Sequence, residues 1–255
     1  LPDRIDAEVV IVGAGPAGAA TAAHLGRLGV RGVVIVERHD SPREKTCGSG
    51  ISPNGIAALR ELDVWEDVAR ESYPIQGLRL VTPGGREAFV SGGASVDAVI
   101  CRRSTLDHLI LTRAVDGGAR FVPQFEAHRL LEAGGRVSGV VARDGREVHA
   151  RYTVIAGGTH CGLIPERRPR RIIQAIMGWW EGVPFRPHHV EMVFDPMVRP
   201  LYGWLFPENE RLVNIGITYE ESAGNGRVNA RELFRRFLDA HYAARLEGAT
   251  PVGAW

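Results

Sequence analysis

The sequence predicts an α/β fold, and three observations carry that prediction. A short apolar run, Ala7 to Val12, ends in Gly13-Ala14-Gly15-Pro16-Ala17-Gly18 and is followed by an alanine-rich stretch to Leu28. A second apolar run, Val33 to Val36, closes on the acidic Glu37. Beyond Arg171 the chain changes to short β-like runs divided by proline and glycine. The first two observations spell strand, tight turn, helix and strand, and the third spells a mainly antiparallel sheet.

The N-terminal unit has every part of a dinucleotide-binding fingerprint. Gly13 permits the tight turn, and Gly15 lets the backbone approach a pyrophosphate. Gly18 lets the helix pack closely on the sheet. Pro16 and Ala17 open that helix, whose N-terminus supplies free N–H groups and a partial positive charge. Glu37 would accept hydrogen bonds from an adenosine ribose. The fingerprint by itself says FAD or NAD.

Composition narrows the function class. The 255 residues are 44% hydrophobic and 24% charged with a net charge of +1, the balance of an ordinary soluble enzyme and not of a nucleic-acid binder. No apolar run approaches the ~20 residues of a membrane span, and nothing resembles a signal peptide, so a cytoplasmic protein is expected. Cys47, Cys101 and Cys161 are too scattered for a disulfide framework or a zinc site. The nine histidines show no metal-ligand spacing, and no metal is expected. Lys45 is the sole lysine, which reads as coding bias.

The remaining elements follow in order. A polar loop, 39–46, leads into Cys47-Gly48-Ser49-Gly50-Ile51-Ser52-Pro53, a special backbone by its glycine density. Ser52 followed by Pro53 starts a helix to Leu59 and on to Leu62. Alternating segments around Pro83-Gly84-Gly85 predict a β-hairpin over 76–91, within a 76–101 insertion that ends in the short strand Ala98 to Cys101. Ser104 and Asp107 form a capping-box pattern that opens a helix, stopped by Gly117-Gly118. Short strands then run to Val154-Ile155-Ala156, one of them Phe125 to Leu131. The Gly157-Gly158 pair that follows is not a second fingerprint, because the proline- and arginine-rich 165–171 stretch cannot continue as a helix. After the β-like runs 172–180, 190–194, 202–206 and 212–219, Asn229 caps an amphipathic helix over 229–247. The expected division is an FAD- or NAD-binding domain over 1–170 and a substrate-domain sheet over 171–255.

Several motifs occur in one order: the fingerprint, Lys45-Thr46-Cys47-Gly48-Ser49-Gly50, Arg103-Ser104-Thr105-Leu106-Asp107, Tyr202-Gly203-Trp204-Leu205-Phe206-Pro207 and Asn214-Ile215-Gly216-Ile217. Together they resemble the geranylgeranyl reductase family of FAD-dependent oxidoreductases, within the p-hydroxybenzoate-hydroxylase-like flavoprotein superfamily, over most of the chain. The resemblance implies a Rossmann-like FAD-binding domain of three-layer ββα type with an antiparallel substrate sheet. It places the ADP half of FAD on Gly13, Gly15, Pro16, Ala17 and Gly18, with Glu37 on the ribose and Arg38 near the adenine. It sets Arg103 against the phosphate or ribityl region, where a forked guanidinium suits phosphate oxygens, and Ala127 in backbone contact with adenine. Cys47 and Gly48 fall in the loop laid near the isoalloxazine ring.

Each assignment has a plainer rival. Arg103 also reads as a solvated arginine at a helix start. Cys47 reads equally as a small buried residue in a tight loop or as a reactive thiol beside Lys45. Tyr202, Trp204 and Phe206 alternate along a strand and share one face. With Pro207 they line an apolar slot for a long hydrocarbon or flat aromatic substrate, or else form ordinary sheet core. Cys47 and Tyr202 are the candidate proton donors, and Trp204 completes the catalytic set.

Two departures from the family pattern matter. Gly157-Gly158-Thr159 stands where members carry an Asp-Gly pair, and the later Gly-Asp motif is absent, with Trp255 falling about where that segment begins. The chain is read as a piece of a longer protein, with a reduced homologue as the alternative. The expected activity is reduction of a C=C bond in an isoprenoid or related natural product by hydride from reduced FAD, with NADPH or NADH as transient donor. A flavin monooxygenase (hydroxylase) or halogenase is the first alternative, and a non-catalytic flavoprotein-like binding module the second. No stable membrane insertion is expected; peripheral membrane contact through the arginines of the 229–246 helix is the weaker idea, packing against the sheet the stronger.

Overall fold

A computed structural model describes residues 3–91, 98–164, 172–221 and 228–254. The 165–171 stretch and Trp255, both singled out above, lie outside the described residues. The elements begin with β1 (Arg4–Val12), α1 (Pro16–Arg27), β2 (Val33–Val36), β3 (Gly50–Ile51), α2 (Pro53–Glu61) and α3 (Trp65–Arg70). Then come β4 (Tyr73–Ile75), β5 (Gly77–Val81), β6 (Glu87–Ser91), β7 (Ala98–Ile100), α4 (Arg103–Asp116) and β8 (Arg120–Val122). After these run β9 (Ala127–Ala133), β10 (Arg136–Ala142), β11 (Glu147–Ile155), β12 (Ile172–Glu181) and β13 (His189–Val193). The last are β14 (Gly203–Pro207), β15 (Leu212–Glu221), α5 (Ala230–His241), α6 (Ala243–Leu246) and β16 (Thr250–Ala254).

The chain divides into two units, Leu1–Glu44 with Ala58–Val68 and Arg103–Arg168, and Lys45–Ala57 with Ala69–Arg102 and Pro169–Trp255. In the first unit the strand order among the described residues is β8-β2-β1-β11-β10-β9. The β8, β2, β1 and β11 strands run parallel, and β10 and β9 continue antiparallel. Val9–Val12 of β1 and Val33–Val36 of β2 are continuous runs of valine and isoleucine because both faces are covered. Val10, Ile11, Ile35 and Val36 are fully buried, and one face packs Val10, Val12, Val34, Val36, Val122, Phe125 and Val148 into a core. Each such side chain contributes about 1.5–3 kcal/mol of transfer free energy.

The second unit holds the order β16-β12-β15-β14-β13-β5-β6, and a small sheet β3-β7-β4. Strand alternation divides its residues between two cores. Leu205, Ile215 and Ile217 face α5, whose Phe234 and Phe237 pack on them. Met177, Trp179, Trp204 and Phe206 face the other way, with Tyr73, Ile75 and Ile100 of the small sheet. The amphipathic helix thus covers the sheet, and on its polar side Arg235 is paired with Glu232 and Asp239.

Four expectations change in detail. The 76–91 hairpin forms, but β5 pairs in parallel with β13, so it belongs to the second unit's sheet and not to an insertion in the first. The helix predicted to run unbroken to residue 247 is interrupted at Tyr242, which lies between α5 and α6 in the chain and buries its ring (1% exposed) in the core with Phe237. The strand predicted from Phe125 starts at Ala127. The capping box is not made. The α4 helix already includes Arg103, Asp107 takes the Arg103 guanidinium at 2.8 and 2.9 Å, and the Ser104 hydroxyl donates to Glu44 at 3.1 Å. A bidentate arginine–carboxylate pair is stronger than the carboxylate's reach back to a helix N–H.

Among the described residues the buried Tyr242 hydroxyl has no hydrogen-bond partner. Burial, with the Glu191 charge adding to it, pushes this phenol above the ordinary tyrosine range. A phenol that stays protonated in the fold but ionises in the unfolded chain gives stability that is complete below about pH 10 and declines above it. Tyr242→Phe is therefore expected to gain about 1 kcal/mol at neutral pH, by removing an unsatisfied buried hydroxyl. It should also flatten the alkaline decline. Urea unfolding at neutral pH and above about pH 10 checks both. A loss of stability at neutral pH would show that the hydroxyl is satisfied.

Candidate functional site

The fingerprint loop sits at the carboxyl ends of β1 and β2, where parallel α/β sheets present their loops to ligands. Gly13 has φ +104°, and a Cβ there would lie 2.5 Å from the Ala156 carbonyl oxygen. A Cβ on Gly18 would fall 1.9 Å from the Gly13 carbonyl oxygen. Helix, loop and β11 are therefore in backbone contact that side chains would prevent. The helix starts with Gly15 as N-cap and Pro16 in the first turn, with no side-chain cap and no acidic residue there. Its N-terminal positive end is left for an anion.

Glu37 closes the arrangement from β2. Its Oε2 accepts the Ala14 N–H at 2.9 Å and its Oε1 the His39 N–H at 3.2 Å. A cavity of about 400 Å³ opens beside it, lined by Gly13, Glu37, Arg38, Phe125, Ala127 and His160 among others. A smaller recess touches Ala14, Gly15, Glu37 and Asp107. Gly13, Gly15, Glu37, Arg38 and Ala127 are thus gathered round one end of the first unit. Arg103 is paired with Asp107, which lines the recess. The free helix N-terminus, the close backbone and the Glu37 carboxylate beside the cavity fit the ADP half of a dinucleotide. The sequence reading missed Phe125, Glu126, His128, Arg143 and Cys161 on the cavity wall; only fold-level placement of the β8–β9 and β11 ends reveals them.

The second cluster lies within the second unit. Tyr202, Trp204 and Phe206 form a chain of rings, with centroids 6.5 and 6.1 Å apart. Trp204 (4% exposed) and Phe206 (7%) are core residues here, and Tyr202 is half-buried. The indole of Trp204 lies across Gly216, where a Cβ would fall 2.3 Å from its ring, and its N–H donates to Asn214 Oδ1 at 2.6 Å. The spacing of Asn214 and Gly216 thus has a physical cause: one residue takes the indole N–H and the other leaves room for the ring. Gly48 packs on this edge, a Cβ there lying 3.1 Å from Trp204 Nε1 and 3.2 Å from Phe206. Cys47, the adjacent residue, is half-buried with its Sγ 3.4 Å from the Ser49 amide, which donates to it. Pro207 ends β14, paired with Val213. Glu208 and Asn214, missed as site residues, join these rings; the buried polar pair had a signal in the F-P-E and N-x-G segments.

Among the described residues no cluster of three His, Cys, Asp or Glu side chains suits a metal ion, and no helix is long and apolar enough to cross a membrane.

A Rossmann-type fold with this glycine cradle, uncapped helix and acidic residue closing β2 is the arrangement of a dinucleotide-binding protein. Residues 6–180 match the FAD binding domain family, and the chain belongs to it. It is 33% identical to the menaquinone reductase of Mycobacterium tuberculosis over 229 residues, 83% of this chain and 54% of that protein. It is 29% identical to digeranylgeranylglycerophospholipid reductase 2 of Methanopyrus kandleri over 246 residues, 92% of this chain and 60% of that one. In fold it is similar to a geranylgeranyl bacteriochlorophyll reductase-like protein of Thermoplasma acidophilum, with a TM-score of 0.85 at 21% identity over 98% of this chain and 65% of that structure. The resemblance to the geranylgeranyl reductase family read from the sequence agrees with these matches. It spans about half the length of the menaquinone reductases it matches.

Proposed function

We propose that this chain is the FAD-binding part, with the first portion of the substrate sheet, of a reductase that saturates a C=C bond in an isoprenoid-bearing substrate. Menaquinone and geranylgeranyl lipids are the substrate classes favoured by the relatives' names. One observation carries the reading: the reductase relatives align through both units, so the aromatic chain of Tyr202, Trp204 and Phe206 comes with the cofactor cradle. The chemistry FAD supplies when bound is hydride delivery to carbon. The uncapped N-terminus of α1 would hold the pyrophosphate and Glu37 the ribose, while Arg38 and Ala127 border the adenine. Arg103, steadied by Asp107, would face the phosphate or ribityl groups. Of the aromatic set, half-buried Tyr202 would border an apolar chain, while Trp204, Phe206 and Pro207 are core and would support it from within the sheet. Cys47 Sγ or the Tyr202 hydroxyl would hold the proton for the second carbon. NADPH or NADH is the expected electron donor, binding transiently.

The test is the absorption spectrum of the purified protein from about 300 to 600 nm, before and after anaerobic NADPH. Bleaching of bound flavin without substrate, followed by reoxidation on adding a menaquinone, is the expected result. Flavin that resists NADPH until substrate is added, with substrate-dependent oxygen uptake, would replace this reading with a monooxygenase. In the reductase, Cys47→Ser and Tyr202→Phe should separate the proton donor from the bystander. Loss of about 100-fold in kcat is expected for the donor alone.

A further inference from the structure

Glu208 and Asn214 carry no role in the function proposed above, yet they tie its aromatic residues together. The Glu208 side chain is 4% exposed. Its Oε1 accepts the Trp179 indole N–H at 2.7 Å and the Asn214 Nδ2 at 3.1 Å, and its Oε2 accepts Arg102 Nε at 2.6 Å. Asn214 is fully buried and passes the constraint onward. Its Oδ1 takes the Trp204 N–H at 2.6 Å, and its Nδ2 also points at the Gly48 carbonyl, 3.5 Å away. The amide orientation is forced by chemistry: an indole only donates and a carboxylate only accepts. A buried carboxylate is costly unless its lone pairs are filled. Here three donors occupy three of the four lone-pair sites, so the Trp179 indole, the Asn214 amide and, through that amide, the Trp204 indole are held as a set.

We propose that Glu208 is a positioning residue. Through Asn214 it fixes the buried Trp204 indole against Gly216 and against the Cys47-Gly48 loop, so that the loop carrying Cys47 and the half-buried Tyr202 ring beside the indole keep one geometry. Arg102, 45% exposed, closes the outer end of the network. The assignment rests on the reductase reading for its substrate, but the network itself is tested without it.

The experiment uses the full chain loaded with FAD, ¹⁵N-labelled, comparing the parent with Glu208→Gln. That substitution keeps the shape, removes the charge and opposes an amide N–H to Arg102. The indole N–H resonances of Trp179 and Trp204 are expected to move together, although Glu208 touches only the first. With a short-tailed menaquinone as probe, kcat/KM should fall at least ~10-fold, since small misplacements of positioning groups cost that much or more, while bound FAD per chain is unchanged. In a Trp204→Phe background, which has no indole N–H to hold, Glu208→Gln should have little further effect on kcat/KM. A Trp204 resonance that stays in place while that of Trp179 moves would overturn the relay, whatever the activity. A relay with unchanged kcat/KM, or an undiminished effect in the Trp204→Phe background, would overturn the positioning role. A parent that fails to turn over the quinone while its Trp204 resonance follows Glu208 counts against the substrate reading, not the network.

Discussion

Gly18→Ala is expected to destabilise the protein by about 3 kcal/mol and to abolish retention of FAD. In an ordinary helix interior the same change gains nearly 1 kcal/mol, because alanine is the better helix former. The sign reverses here because the new methyl would stand 1.9 Å from the Gly13 carbonyl oxygen and 3.2 Å from Ile11 Cγ2. The first neighbour is backbone and cannot rotate away. Helix α1 must then lift from β1, and the loop it holds, with Gly13 pressed on the Ala156 carbonyl, moves with it. The same displacement removes the N–H groups that meet the pyrophosphate. Urea unfolding gives the first quantity, and flavin absorbance after gel filtration gives the second. A variant that is more stable than the parent and keeps its flavin would refute the close-packing account of the third fingerprint glycine.

That contact was legible in the sequence because the fingerprint is local: glycine spacing, helix and acid all fall within residues 7–37. The strands of 172–219 were legible for the same reason, as period-2 apolar runs bounded by glycine and proline. Pairings between distant segments were not. Nothing in 76–91 announces that β5 will lie in parallel beside β13, over a hundred residues later. Side-chain competition was also hidden. Ser104 and Asp107 have capping-box spacing, but Arg103 one position earlier captures Asp107, and that outcome depends on geometry that spacing does not encode. The break at Tyr242 coincides with burial of its ring in the core, in a stretch whose helical periodicity continues beyond it.

The candidate site shows the same division. Gly13, Gly15, Glu37, Arg38 and Ala127 were found from motif and resemblance, and they border one cavity or its neighbouring recess. Phe125 and His160 border it too, brought there by the ends of β8 and β11, with no motif of their own. In the aromatic strand the alternation predicted one shared face, and the rings do follow one another. Their polar support was not visible. Glu208 reads in sequence as a surface carboxylate after a strand, and its burial depends on Arg102 and Trp179 arriving from two other strands' ends.

Glu37→Ala is expected to weaken FAD binding about 100-fold, with a smaller effect on folding. The carboxylate does two things at once. It accepts the Ala14 and His39 N–H groups, one on each oxygen, which holds the fingerprint loop in register with β2. Each oxygen keeps a further lone pair, and Glu37 lines the cavity that the ribose hydroxyls would enter. Hydrogen bonds to a charged group are worth about 1.5–3 kcal/mol each. Loss of a ribose pair, partly offset by water, therefore comes to about 3 kcal/mol, or two decades in Kd. Glu37→Gln separates the two tasks. Its carbonyl can still accept the Ala14 N–H, while its NH2 opposes the His39 N–H, so the shorter of the two loop bonds is kept and one acceptor is lost. Fluorescence titration of the apoprotein with FAD, beside urea unfolding of the same three proteins, would show the separation as a Gln variant with a Kd near that of the Ala variant but a stability closer to the parent. If instead Kd tracks stability across all three, Glu37 acts only by holding the loop, and the ribose must find its acceptor elsewhere in the cavity.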